Sequence, residues 1–184
     1  VRQGLIEYIP FPADLKGKRI GLAGFFGATY VGWRAFLAAN GLSEADVKQE
    51  AIGFTQREAV QQGKVDAAVG YVNNEPVALA ESGFPVTVFV VGEKVNLVAN
   101  GLMTNEETIR TKPALVRGMS KALLRGVADT LKDPDAALAI STKYVDGLKA
   151  DDPIQRKVML ATVEMMKTSG KQGASTAAAW EATQ

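Results

Sequence analysis

The run Gly24-Phe25-Phe26-Gly27-Ala28-Thr29-Tyr30 has the residue types to hold a flat, electron-rich ligand. It lies between an apolar run and a helical pattern, where free backbone amides and the helix dipole attract anionic or electron-rich groups. Two consecutive phenylalanines on such an exit loop cannot both face a core, so one is available to stack on a heterocycle. The glycines are not a phosphate loop, since no Gly-Lys-Ser/Thr follows, and their spacing is not that of the Gly-x-Gly-x-x-Gly dinucleotide binders. Spacing alone equally suits a tight turn with close helix-to-sheet packing. Tyr30, Trp33 and Leu37 form an i, i+3, i+7 stripe. Trp33 reads as core, whereas Tyr30, beside the loop, divides evenly between core and ligand contact.

A second candidate, Asn73-Asn74-Glu75-Pro76, follows an apolar run at what would be the same carboxyl edge of a sheet, where open α/β folds bind ligands. It has the makings of a helix start, with asparagine as cap and proline in the first turn. The Glu75 carboxylate can also accept hydrogen bonds from an amino-pyrimidine or a ribityl hydroxyl. Asn96 is a third candidate, able to reach a cleft or to end a strand. Lys16 to Arg19 reads as a solvated turn. Asp151-Asp152-Pro153 reads as a helix N-cap, because two adjacent aspartates fall short of the roughly six or more oxygens calcium prefers.

Composition removes much of the remaining chemistry. The 184 residues contain no cysteine and no histidine. Thiolate nucleophiles, disulfides, Cys/His zinc sites and imidazole acid-base catalysis are therefore unavailable. No catalytic residue, metal or cofactor is expected. Lysine and arginine number 21 against 20 acidic residues, a net charge of +1, which argues against a nucleic-acid or anionic-membrane binder. The densest apolar run, Phe84 to Val91, is less than half of the roughly 20 residues a membrane-spanning helix needs.

The elements that must position the candidates alternate over the first half. Strands are expected at Lys18–Ala23, Val47–Gly53, Val65–Tyr71 and Val86–Val91, and helices at Ala28–Asn40, from a Thr55/Glu58 capping box to Gly63, and at Asn74–Ser82. Short connections predict parallel pairing through right-handed crossovers, hence a small α/β domain. Val95–Ala99 is a further strand candidate. Beyond it the pattern is helical, at Pro113–Leu131, Ala136–Tyr144, Ile154–Thr168 and, after a Ser169–Ser175 loop, from Thr176. These later helices have apolar faces but no sheet of their own, so one complete domain plus part of a second is expected.

Five ordered stretches carry a family resemblance: Asp14-Leu15-Lys16-Gly17-Lys18-Arg19-Ile20-Gly21, Asn40-Gly41-Leu42, Gln62-Gly63-Lys64-Val65-Asp66-Ala67, Val72-Asn73-Asn74-Glu75-Pro76-Val77 and Asn96-Leu97-Val98-Ala99-Asn100-Gly101-Leu102. In type and order they resemble type II periplasmic substrate-binding proteins of ABC importers, in the branch that binds thiamine-pyrimidine precursors and riboflavin. The resemblance implies two α/β lobes joined by hinge strands, with a small-molecule ligand in the cleft and an importer permease as partner. It implies residues 14–93 as one complete lobe, residues 1–13 as a hinge and first-lobe segment, and residues 94–184 as the hinge return and helical part of the other lobe. It places the protein in the periplasm or outside the cell, held at the membrane by the importer or by a lipid anchor outside these residues. Sulfonate- and nitrate-type anion binders share the frame. So does a pyrimidine synthase that needs a cysteine-rich loop and a histidine, neither of which this sequence has. Self-association through helix faces left exposed after residue 105 is expected.

Overall fold

In a computed structural model, which describes residues 9–98, 100–167 and 172–183, the chain divides into two compact units. The first comprises residues 1–98 and 176–184, the second residues 99–175. The expected hinge segment before Ile9 lies outside the described residues, as do Ala99 and Ser169 to Lys171.

The first unit is built on a three-stranded parallel sheet in the order β2-β1-β3, formed by β1 (Arg19–Leu22), β2 (Lys48–Ala51) and β3 (Ala67–Ala68). Ile20 and Leu22, two residues apart and so on one face of the central strand, are completely buried with Phe36 and Leu37 of α1 (Gly27–Ala39). On the opposite face Gly21 must be small. A Cβ there would lie 2.5 Å from Ile52 Cδ1 and 3.2 Å from Val65 Cγ2. Helix α1 ends as the sequence predicts: Gly41 at φ 67° lets Leu42 N–H donate to Leu37 O and Gly41 N–H to Ala38 O, the two bonds of a Schellman cap. The same pair of bonds closes α2 (Gln56–Gln61) at Gly63 and α3 (Glu75–Glu81) at Gly83.

At the amino end of the sheet, Arg19 is locked to Asp66. Its backbone N–H donates to Asp66 Oδ2 at 2.8 Å and its guanidinium to both carboxylate oxygens, at 3.2 and 2.6 Å. These bonds hold the Asp66 carboxyl below its usual range. Arg19 is thus a structural pair rather than part of a solvated turn.

Four expectations are corrected. The third strand shrinks from Val65–Tyr71 to Ala67–Ala68 because the flanking amides are spent elsewhere: Val65 N–H on Ala59 O, and Tyr71 N–H on the Glu75 carboxylate. Val86–Val91 forms no strand. Val88 is exposed, and the segment is instead anchored by Phe89, whose ring stacks 5.9 Å from Phe36. Val95–Val98 is likewise unpaired as a strand. Finally, Thr55 does not form a capping box: its hydroxyl donates to Ile52 O at 2.7 Å, and no side-chain bond caps α2.

The second unit is helical: α4 (Glu106–Thr111), α5 (Pro113–Lys132), α6 (Pro134–Ser141) and α7 (Pro153–Met166). Asn105, Asp133 and Asp152 accept first-turn amides as N-caps, with proline at the first position of α6 and α7. Helix α4 was not legible as apolar periodicity, since Ile109 is its single apolar residue. Arg156 binds Asp135 in a fork, at 2.8 and 3.0 Å, tying α7 to α6. The last helix, α8 (Ala177–Thr183), belongs to the first unit, where Thr183 Oγ1 accepts from Val98 N–H at 2.9 Å.

Candidate functional site

Parallel strands deliver their following loops to one edge, so the fold gathers three exits: residues 23–26 after β1, 52–55 after β2 and 69–74 after β3. The middle exit carries the glycine-aromatic run. Gly24 is buried beneath the Phe26 ring, where a Cβ would overlap it, while Phe25 and Phe26 are 50% and 69% exposed. Gly27 opens α1, followed by exposed Ala28 and half-buried Thr29 and Tyr30.

Tyr30 is braced from two sides. Its ring meets Phe25 edge-on, with centroids 5.8 Å apart, and its hydroxyl donates to Glu44 Oε1 at 2.6 Å. That bond pushes the Tyr30 phenol up and the Glu44 carboxyl down from their ordinary values. Glu44 Oε1 also accepts from Gln49 Nε2 at 3.3 Å, and Gln49 Oε1 accepts the indole N–H of buried Trp33 at 3.0 Å. A polar chain therefore runs from the aromatic loop through Tyr30, Glu44 and Gln49 to the core. Sequence spacing could not reveal it, because its members are 14 and 16 residues apart.

After β3, Glu75 turns back on its own loop. Its Oε2 accepts Tyr71 N–H at 2.7 Å and its Oε1 accepts from Asn74 Nδ2 at 3.0 Å. Gly70 makes room for this carboxylate, since a Cβ at Gly70 would overlap Oε2. Asn73 and Glu75 are half-buried. The fold thus brings the 24–30 and 73–75 candidates to one sheet edge, whereas exposed Asn96 lies on the stretch beyond Val91–Glu93. Phe54, 86% exposed at the β2 exit, and Tyr71, 41% exposed at the β3 exit, occupy the same edge. Both were missed in the sequence, and each lies three residues beyond the end of a strand.

Separately, α5, α6 and α7 surround an open depression of about 810 Å³, lined mainly by apolar side chains including Ala137, Val158, Met159 and Met166. Among the described residues no cluster of acidic side chains is arranged to hold a metal, and no helix is long and apolar enough to cross a membrane.

A parallel α/β unit with its loops gathered at the carboxyl edge, in a chain whose other unit is helical, is a partial periplasmic-binding-protein-like fold. The NMT1/THI5-like family profile matches residues 7–137, and the chain belongs to that family. Over 147 residues, 79% of this chain and 42% of the relative, it is 44% identical to the riboflavin-binding protein RibY of Chloroflexus aurantiacus. Over 159 residues, 82% of this chain and 48% of the relative, it is 27% identical to a 4-amino-5-hydroxymethyl-2-methylpyrimidine phosphate synthase of Legionella pneumophila. The chain therefore spans under half the length of each of these relatives.

Proposed function

We propose that this protein is a solute-binding protein for a riboflavin-type vitamin, acting without catalysis and passing its ligand to an ABC importer outside the cytoplasm. The observation that carries the reading is the exposed Phe25-Phe26 pair at the carboxyl edge of a parallel sheet, in a chain 44% identical to a riboflavin binder. The loop offers what an isoalloxazine needs: aromatic faces for the rings, and amides at the start of α1 for the electron-rich carbonyl edge. Glu75, Asn73 and Asn96 are the polar groups proposed to orient the ribityl hydroxyls or a ring amine. Closure of two lobes about residues 1–13 and 94 onward would stabilise the liganded state through contacts from both sides.

The reading without catalysis is supported by these 184 residues having no histidine or cysteine, the groups that the resemblance implies for a synthase. Isothermal titration of the purified protein with riboflavin, the amino-pyrimidine and an alkylsulfonate tests the proposal. Saturable heat with riboflavin is expected. Absence of heat with all three ligands would refute it, and heat with the sulfonate alone would replace it with an anion-binding reading.

A further inference from the structure

We propose that Phe54 is a ligand-stacking residue, which extends the aromatic surface from the central strand exit to its neighbour and lies against the fused rings of a flavin-type ligand. This inference rests on the vitamin-binding reading above. Strand β2 stays paired with β1 as far as Ile52, whose N–H donates to Leu22 O at 2.8 Å. Phe54 therefore begins two residues past the last ladder bond, beside the exit that carries Phe25 and Phe26. On the other side Val69 N–H donates to Gly21 O at 2.9 Å, and Tyr71 follows at the same remove. Three adjacent exits thus each present an aromatic ring. They span two strand spacings, about 10 Å, a length matched by three fused six-membered rings rather than one.

Phe54 is the most exposed phenylalanine among the described residues, and its exposure is built in. Gly53 takes φ 60° and Thr55 donates its hydroxyl to Ile52 O, folding residues 52–55 into a tight turn that holds Phe54 outward. The hydroxyl is thereby withheld from capping α2, and a large apolar ring is left in water. A planar ligand stacked on the ring would remove that exposure. The stretch aligned with the riboflavin-binding relative is long enough that it must include this turn.

The test is titration of the purified protein with riboflavin and with lumichrome, which keeps the three rings and lacks the ribityl chain, read by quenching of ligand fluorescence. Phe54→Ala is expected to weaken both ligands roughly tenfold, within the range of one stacked base, and Phe54→Trp to restore them. The far-UV circular dichroism of an exposed-site variant should match wild type. If wild type binds riboflavin and Phe54→Ala binds it equally, the role of Phe54 is overturned while the vitamin-binding reading stands. A loss with riboflavin but none with lumichrome places Phe54 on the sugar alcohol and overturns ring stacking. If wild type binds neither ligand, the flavin reading fails and this inference with it.

Discussion

Replacing Asp66 by alanine should destabilise the first unit without touching ligand affinity, because the Arg19–Asp66 lock sits at the amino end of the sheet and the candidate loops at the carboxyl end. The carboxylate, 29% exposed as a side chain, accepts one backbone N–H and two guanidinium N–H groups. The backbone bond is worth about 1 kcal/mol. A partly exposed ion pair adds about 0.5 kcal/mol. The expected loss is therefore about 1.5 kcal/mol, or about 3–6 °C in melting temperature for a chain of this size. The contribution also has a signed pH dependence. The folded carboxyl titrates below its unfolded value, so the lock is fully present above the unfolded value near 4 and is lost as pH falls through the lower folded one. Urea unfolding of wild type and Asp66→Ala at pH 7, and again near pH 3, should show the gap at neutral pH and its narrowing in acid. A gap below about 0.3 kcal/mol at pH 7, or one that widens in acid, would refute the assignment. A fall in riboflavin affinity that tracks it would refute the separation of the two sheet ends.

Gly70→Ala should displace the Glu75 carboxylate from Tyr71 N–H at a cost of about 1 kcal/mol, and in urea unfolding the Gly70→Ala/Glu75→Ala double variant should be no less stable than Glu75→Ala alone. Full additivity of the two losses would show that the overlap is relieved some other way. Gln49→Leu leaves the buried Trp33 indole N–H without its acceptor, so a loss of about 1–2 kcal/mol is expected, with a change in tryptophan emission; unaltered stability and emission would refute the bond. Leu115, Met119 and Leu123 are each about half exposed along α5, and concentration-dependent self-association is expected in sedimentation velocity, abolished by Leu123→Glu. A monomer at every concentration would count against it.

Much of the first unit was legible because its signals are local. Glycine at the end of an apolar-periodic stretch marked the ends of α1, α2 and α3, and each forms the expected cap at that residue. Lys18–Ala23 read as a strand for its apolar content and is the central one, with burial on both faces. Failures came where distant partners decide. Val86–Val91 has the composition of an inner strand, yet it is anchored by Phe89 on Phe36 and by Val91 against the core, while Val88 stays exposed. Thr55 and Glu58 have capping-box spacing, and a competing acceptor three residues back took the hydroxyl. The site was legible only in part for the same reason. The 24–30 run announces itself by composition, but Phe54 is a lone aromatic in the short turn between β2 and α2, and only the strand order puts it beside that run.

The aromatic edge also bears on how a liganded state would be favoured. Phe25, Phe26 and Phe54 are all at least half exposed, and full burial of a phenylalanine side chain is worth about 1.5–3 kcal/mol. The three-stranded unit forgoes much of that stabilisation at three positions on one edge, although its core elsewhere is close-packed around Ile20, Leu22 and Leu37. A surface chosen for stability alone would carry polar residues there, as β2 does along Lys48, Gln49 and Glu50. On the binding reading, the forgone burial becomes available as affinity when a flat ligand covers the rings. The brace behind Phe25, from Tyr30 through Glu44 and Gln49 to Trp33, lowers the ordering entropy that would otherwise oppose stacking on that ring. Loosening that brace should therefore weaken binding more than its effect on stability alone would imply.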